Sequence, residues 1–378
     1  MLAIYRKYRP ATFESLLGQD LTVKILKEAA REDRLAHAYL LAGPRGTGKT
    51  TSARLIAKIA NCETRANDGN FKKKGEPCNK CGPCNEINEG RGLDVIEIDA
   101  ASNRGIDEIR NLKESVRVSP ASFRRKVFII DEAHMLTKDA FNALLKTLEE
   151  PPPYVIIILA TTEPDKIPAT ISSRTQQFYF KRALVNQIVG KLEEIAKKEK
   201  IQVSNEALEL IAASAEGSFR DAESLLDQLT SFNGAKINLD DVEKSLGKVG
   251  FGKLSELCGL MLGGKLEDVL KIISEIEDGG FNLVQLTKDM IQYLRRTAVL
   301  KFNPEMKSLF KNELMEEHLE KLTAHAAVFK DEQIKLIKGL IKAYSEMRYS
   351  QFPIIPLEVA IIESLKNLGL ENGNKLTH

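Results

Sequence analysis

Gly43-Pro44-Arg45-Gly46-Thr47-Gly48-Lys49-Thr50 is the stretch on which the reading of this 378-residue chain turns. Ala38-Tyr39-Leu40-Leu41-Ala42 precedes it as an unbroken apolar run and reads as a buried strand. Thr51 to Ala60 follows, with Ala53, Ile56, Ala57 and Ala60 at helical spacing. Strand, G-x-x-x-x-G-K-T, helix is the order of a phosphate-binding loop. The glycines let successive backbone N–H groups converge on a β-phosphate, and the helix N-terminus adds partial positive charge. Lys49 is expected to reach the β- and γ-phosphates, Thr50 to ligate Mg²⁺, and Thr51 to join the nucleotide contacts. A chance glycine turn before a core helix is the competing reading, and it does not account for a strand and a helix both in place. The stretch therefore predicts binding of a nucleoside triphosphate.

The rest of the composition bounds the class. At 378 residues the chain is long enough for two or three domains. A hydrophobic content of 43% and a charged content of 29% are those of a soluble globular protein. There is no apolar run of bilayer length and no signal-peptide core in Met1-Leu2-Ala3-Ile4-Tyr5-Arg6, so a cytoplasmic protein with no membrane partner is expected. A net charge of +2 leaves any nucleic-acid contact to a local patch.

Lys126-Val127-Phe128-Ile129-Ile130 is a second buried strand, and it ends in Asp131-Glu132-Ala133-His134. A carboxylate pair past such a strand can divide two tasks, Asp131 holding Mg²⁺ and Glu132 polarising the attacking water. Together with the glycine loop it predicts hydrolysis as well as binding. His134 is read as structural. Tyr154 to Ala160 is apolar throughout, the mark of a central parallel strand, and Thr161-Thr162-Glu163-Pro164 lies at its carboxyl end. Farther on are Ser172-Ser173-Arg174-Thr175 and Gly217-Ser218-Phe219-Arg220, whose arginines spacing alone does not separate from surface residues.

Cys62, Cys78, Cys81 and Cys84 form a distal cysteine followed by C-x-x-C-x-x-C, just beyond the phosphate-loop helix. Four thiolates suit a closed tetrahedral zinc site, and the alternatives are an iron–sulfur site or a redox pair. The polar, Lys-rich stretch between Thr64 and Gly75 would need such a metal for order, while the sheet would not. Cys258, among Leu254, Leu257, Leu260 and Met261, reads as a buried small hydrophobe.

These motifs resemble the tau/gamma motor-subunit family of the bacterial DNA polymerase III clamp loader, which are AAA+ ATPases. Arg9-Pro10-Ala11-Thr12-Phe13, Gly18-Gln19, Ile98-Asp99-Ala100-Ala101-Ser102 and Phe141-Asn142-Ala143-Leu144-Leu145-Lys146-Thr147-Leu148-Glu149-Glu150-Pro151-Pro152 carry the resemblance beyond the two ATPase motifs. It implies that Thr162 is the sensor-1 residue, Arg174 a finger acting on a neighbour's ATP, and Arg220 the sensor-2 arginine. It also implies that Tyr8, Arg9 and Pro10 line the adenine pocket. Thr175 stands where the family usually has cysteine, with the arginine kept. The region around Ser102 to Asp107 would face a DNA channel, with Arg104, Arg110 and Lys146 as candidate phosphate contacts. The Arg110 side chain could equally pair with Asp107 along a helix.

The expected fold is α/β: an AAA+ P-loop domain with a parallel sheet over residues 1–178, carrying the cysteine insertion at about 62–84. A small helical lid over 179–242, a helical collar over 243–368 and a tail over 369–378 follow, with the collar broken at Gly263-Gly264 and Gly279-Gly280. The expected role is an ATP-driven motor using ATP, Mg²⁺ and Zn²⁺, in a pentameric ring with other clamp-loader subunits, the sliding clamp and primer-template DNA, at the bacterial nucleoid. A nucleotide-gated scaffold is the alternative of a different class. Retention of Lys49, Thr50, Asp131, Glu132, Arg174 and Arg220 together favours the motor. A DNA-branch-migration helicase is the other enzyme considered, and the cysteine insertion argues against it.

Overall fold

Three strands with no polar interior form the centre of the first half of the chain: β1 (Ala38–Ala42), β3 (Lys126–Asp131) and β4 (Val155–Thr161). The computed structural model describes residues 3–102, 112, 114–234, 236–311 and 314–373. Together with β2 (Val95–Asp99) and β5 (Gln176–Tyr179) these strands make a parallel sheet ordered β2-β3-β4-β1-β5. A parallel sheet needs cover on both faces, and alternation supplies two apolar layers. Tyr39, Leu41, Val127, Ile129, Ile156 and Ile158 face one core with Ala53, Ile56 and Ala57 of the helix Lys49–Asn61. Leu40, Phe128, Ile130, Ile157 and Leu159 face the other with Phe141, Leu144 and Leu148 of the helix Lys138–Glu149. Each such side chain contributes about 1.5–3 kcal/mol by leaving water, which fixes the register and so the carboxyl edge of the sheet. There Ala42 pairs with Thr161 and Asp99 with Asp131, and Gly43 N–H continues the ladder to Thr161 O at 3.1 Å.

The strands expected at Ala38–Ala42, Lys126–Ile130 and Tyr154–Ala160 are present to within a residue. β2 and β5 carry no such signal. Glu97 interrupts the first, and in the edge strand β5 only Phe178 is buried.

The chain divides into two compact units, Met1–Ala183 with Glu216–Ser224, and Leu184–Ala215 with Leu225–His378. Ser218 and Arg220 therefore belong to the first unit, at the start of the helix Phe219–Asn233. Among the described residues the second unit's regular structure is helical apart from a two-residue parallel pair, β6 (Gln202–Val203) with β7 (Lys236–Ile237). Leu208, Ile211, Ala212 and Ala215 are buried in it, and its largest core gathers Leu257, Met261, Val269, Ile273, Met290, Leu294, Leu336 and Leu357. Helices end at Leu262 and Asp278, just before the double glycines. Cys258 is fully buried, and burial pushes its thiol far above the ordinary range, as suits an inert core residue. Among the described residues no helix is long and apolar enough to cross a membrane.

Candidate nucleotide site and cysteine cluster

The loop between β1 and the helix Lys49–Asn61 is shaped by residues that tolerate left-handed backbone. Gly46 has φ +71°, and a Cβ there would run into Ser218 Oγ, so only glycine lets the loop lie against that serine. Gly48 caps the helix at φ +100°, with Leu16 packed 3.2 Å from where a Cβ would stand. Thr47 is buried and its hydroxyl donates to Pro44 O at 2.8 Å, tying the loop to itself, while Arg45 is exposed and Thr51 half-buried. Lys49 is buried, and its Nζ donates to Gly43 O and Pro44 O, both at 2.8 Å. Burial lowers the pKa of its amine, and the carboxylates of Glu132 and Asp131 act against that shift.

The other motifs converge on the same edge. Thr50 Oγ1 donates to Asp131 Oδ2 at 2.7 Å across the β1–β3 gap. Glu132 sits in the left-handed region at φ +48°, a conformation a glutamate adopts at a cost, and this aims its side chain along the sheet edge. Its Oε2 accepts from Thr162 Oγ1 at 3.0 Å. His134, expected to be structural, stands beside it: Nδ1 is 3.0 Å from Thr161 Oγ1 and 3.5 Å from Glu132 Oε2, and Nε2 is 3.2 Å from Glu163 Oε1.

Arg220 approaches from the start of its helix, with its Cβ 3.4 Å from the Cβ position of Gly46 and its guanidinium 5.0 Å from the Tyr5 ring centroid. Tyr8, Arg9 and Pro10 are each half-buried nearby. Burial, then the Arg54 guanidinium, then that of Arg220 lower the pKa of Arg9, and Glu97, which pairs with Arg54, offsets part of this. Arg174 is elsewhere, with Nη2 2.8 Å from Glu149 Oε1. Lys146 is exposed on the helix Lys138–Glu149, and Arg104 and Arg110 lie outside the described residues.

The sulfurs of Cys62, Cys78, Cys81 and Cys84 all lie within 4.8 Å of one another. A tetrahedral zinc with bonds of about 2.3 Å needs sulfurs about 3.8 Å apart, and Cys78 and Cys84 already stand at 4.0 Å. Backbone N–H groups of Cys78, Lys80 and Cys81 point at these sulfurs from 3.3–3.5 Å, as they would toward thiolates. The Cys84 thiol lowers the pKa of Cys62, and Cys62 in turn raises that of Cys84. The donor set fits zinc.

Three family models cover the chain in succession. "DNA polymerase III, delta subunit" matches residues 18–183, "DNA polymerase III clamp loader subunit, ATPase lid domain" residues 187–234, and "DNA polymerase III subunits gamma and tau domain III" residues 237–371. The chain is 35% identical over 364 residues to DNA polymerase III subunit gamma of Buchnera aphidicola subsp. Schizaphis graminum, covering 96% of this chain and 98% of that one. The chain belongs to the DNA polymerase III gamma/tau family. It is also 42% identical to subunit tau of Bacillus subtilis (96% of this chain, 62% of that one) and to subunit tau of Escherichia coli (79% and 45%). It thus spans roughly half to two thirds of the length of those longer relatives.

For a gamma/tau chain, sequence reasoning brought Lys49, Thr50, Asp131, Glu132 and Thr162 to one edge, where the structure places them. It passed over Ser218, which packs on Gly46, and Glu149, which holds Arg174. It also passed over His134 as a neighbour of Glu132, although its place in Asp131-Glu132-Ala133-His134 could have signalled that.

Proposed function

We propose that this chain is an ATP-driven motor subunit of a clamp loader, which binds and hydrolyses ATP to open a sliding clamp and place it on primed DNA. The observation that carries the reading is the convergence at one sheet edge of Lys49, the Thr50–Asp131 pair and the Thr162–Glu132 pair. In this reading the loop from Gly43 to Thr51 cradles the phosphates, with the Lys49 amine exchanging two loop carbonyls for β- and γ-phosphate oxygens. Thr50 and Asp131 would hold Mg²⁺, which when bound neutralises charge on the phosphates. Glu132 orients and polarises the attacking water, and Thr162 holds its carboxylate in place. Tyr8, Arg9 and Pro10 line the base, Arg220 reaches the phosphates from the lid side, and Arg174 serves the neighbouring subunit's ATP.

The four cysteines would hold zinc in a closed site with no open position, a structural role. The chain would divide into a nucleotide-binding part over 1–178, a lid over 179–242, a collar over 243–368 and a tail. It would work in the cytoplasm, at the nucleoid, within a pentameric ring of clamp-loader subunits, with Arg104, Arg110 and Lys146 toward primer-template DNA. Steady-state ATPase with and without clamp and primed DNA tests this. Strong stimulation only when both are present is expected, and slow turnover indifferent to both would favour a scaffold.

A further inference from the structure

The cysteine insertion is not a detached appendage. Glu76, two residues before Cys78, has a largely buried carboxylate that accepts from Phe13 N–H at 2.7 Å and Glu14 N–H at 3.0 Å. It also pairs with Lys27 Nζ at 3.1 Å. Asn79, one residue after Cys78, is left-handed at φ +54° and donates from Nδ2 to Ala11 O at 3.0 Å. Lys58, on the phosphate-loop helix and 2% exposed, donates to Ala11 O (3.1 Å), Asn79 Oδ1 (2.8 Å) and Asn88 Oδ1 (2.9 Å). One buried ammonium thus joins the N-terminal segment, the cysteine loop and the helix Gly82–Glu89 to the helix that starts at Lys49.

The segment gripped in this way is the one that continues into the nucleotide site. Ala11 follows Tyr8-Arg9-Pro10 directly, and Leu16 at its other end packs on Gly48. Among the described residues, no β-ladder of the five-stranded sheet includes residues 8–14, so its position depends on the burial of Phe13 and Leu16 and on these side-chain bonds. Buried carboxylate-to-N–H bonds are among the stronger of these, and they hold only while the loop carrying Glu76 and Asn79 keeps its shape.

We propose that the four-cysteine module is a clamp on the adenine-side wall, with Glu76, Asn79 and Lys58 as positioning residues, so that an intact metal cluster sets affinity for the base. This rests on the nucleotide reading above. It goes beyond it by giving the metal site an effect on ligand binding through residues that touch neither phosphate nor metal.

The test uses the full chain, comparing wild type, Glu76→Gln and Asn79→Ala, together with chelator-stripped wild type. Zinc content, amide exchange at residues 11–16, and the Kd for ATP and for inorganic tripolyphosphate are measured on each. Glu76→Gln should keep its zinc, lose protection at the Phe13 and Glu14 amides, and bind ATP about tenfold more weakly, the effect of about one charge-assisted hydrogen bond. Tripolyphosphate, which has no base, should bind as before. Stripped wild type should show the same pattern, and Asn79→Ala a weaker one that decides the matter if Glu76→Gln fails to fold. Unchanged ATP affinity despite exposed amides, or equal weakening of ATP and tripolyphosphate, would overturn the clamp. If wild type binds neither ligand, the nucleotide reading fails instead, while unchanged protection at 11–16 after stripping would overturn the clamp independently.

Discussion

Arg174 Nη2 lies 2.8 Å from Glu149 Oε1, and Nη1 donates to Thr170 O at 2.8 Å. The guanidinium expected to serve a neighbour's nucleotide is thus held by its own chain. Both side chains are partly exposed, at 36% and 49%, so the pair stabilises by only about 0–1 kcal/mol and is readily exchanged for phosphate. Glu149→Gln should leave thermal stability almost unchanged. In assembled rings it should raise turnover by up to about fivefold, the factor that 1 kcal/mol allows. Equal change in isolated chains would show that Glu149 acts on something other than the finger.

Lys49 and Glu132 should fail differently. Lys49→Ala removes the cation proposed to meet the β- and γ-phosphates, and no other amine shares its carbonyl cradle among the described hydrogen bonds, so ATP affinity should collapse. Glu132→Gln removes the carboxylate proposed to activate water but keeps the Thr50–Asp131 pair. It should bind ATP normally and turn it over about 10²–10⁴-fold more slowly. Filter binding and single-turnover hydrolysis on the two variants separate the roles. A Glu132→Gln chain that cannot retain ATP would contradict this assignment.

Asp94 supplies a pH dependence. Burial alone would raise its carboxyl pKa, but N–H groups of Ser122, Ala121 and Phe123 and the Ser122 hydroxyl outweigh burial and hold it below 3.8. As pH falls the unfolded chain takes up this proton first. The stabilisation is therefore complete above about pH 5 and is lost progressively as pH drops through the depressed native value. Asp94→Asn should cost about 1–3 kcal/mol near neutral pH and flatten that acid limb. Urea unfolding of both chains from about pH 6 down to pH 3 checks the slope.

How much of this was legible in the sequence follows from where each signal is stored. β1, β3 and β4 are covered on both faces, so burial writes itself into consecutive residues. β5 borders solvent and keeps only Phe178 inside, which no periodicity window detects. Lys49, Thr50 and the cysteines belong to short motifs whose chemistry demands fixed spacing. Glu76 and Lys58 do not: the Glu76 carboxylate meets Phe13 across 63 residues, and a glutamate in a polar insertion looks like any solvated charge. Arg174 is singled out only by the family resemblance, while the Glu149 that pairs with it has no local mark at all.

The metal content can be fixed directly. Elemental analysis should find about one zinc per chain, because four sulfurs within 4.8 Å make one closed site. Replacing Cys81 with serine should abolish it while the sheet core, built from β1, β3 and β4, keeps its helix and strand signal. Full zinc retention in that variant would mean that the four cysteines do not act as one site.

The last prediction concerns Arg174 in the assembled state. It lies between β4 and the edge strand β5, and no described hydrogen bond or ion pair joins it to Lys49, Asp131 or Glu132 of its own chain. An arginine finger is worth about 10³–10⁵ in rate, or roughly 4–7 kcal/mol. Arg174→Ala should therefore bind ATP almost normally and hydrolyse it very slowly, whereas Lys49→Ala keeps a sound finger beside a dead pocket. Mixing the two under assembly conditions should create interfaces where an intact Lys49 from one chain meets an intact Arg174 from another. Those interfaces should hydrolyse ATP although neither parent does. Native mass spectrometry establishes whether the two variants share rings, and if they do and no turnover returns, Arg174 is not the residue that acts across the interface.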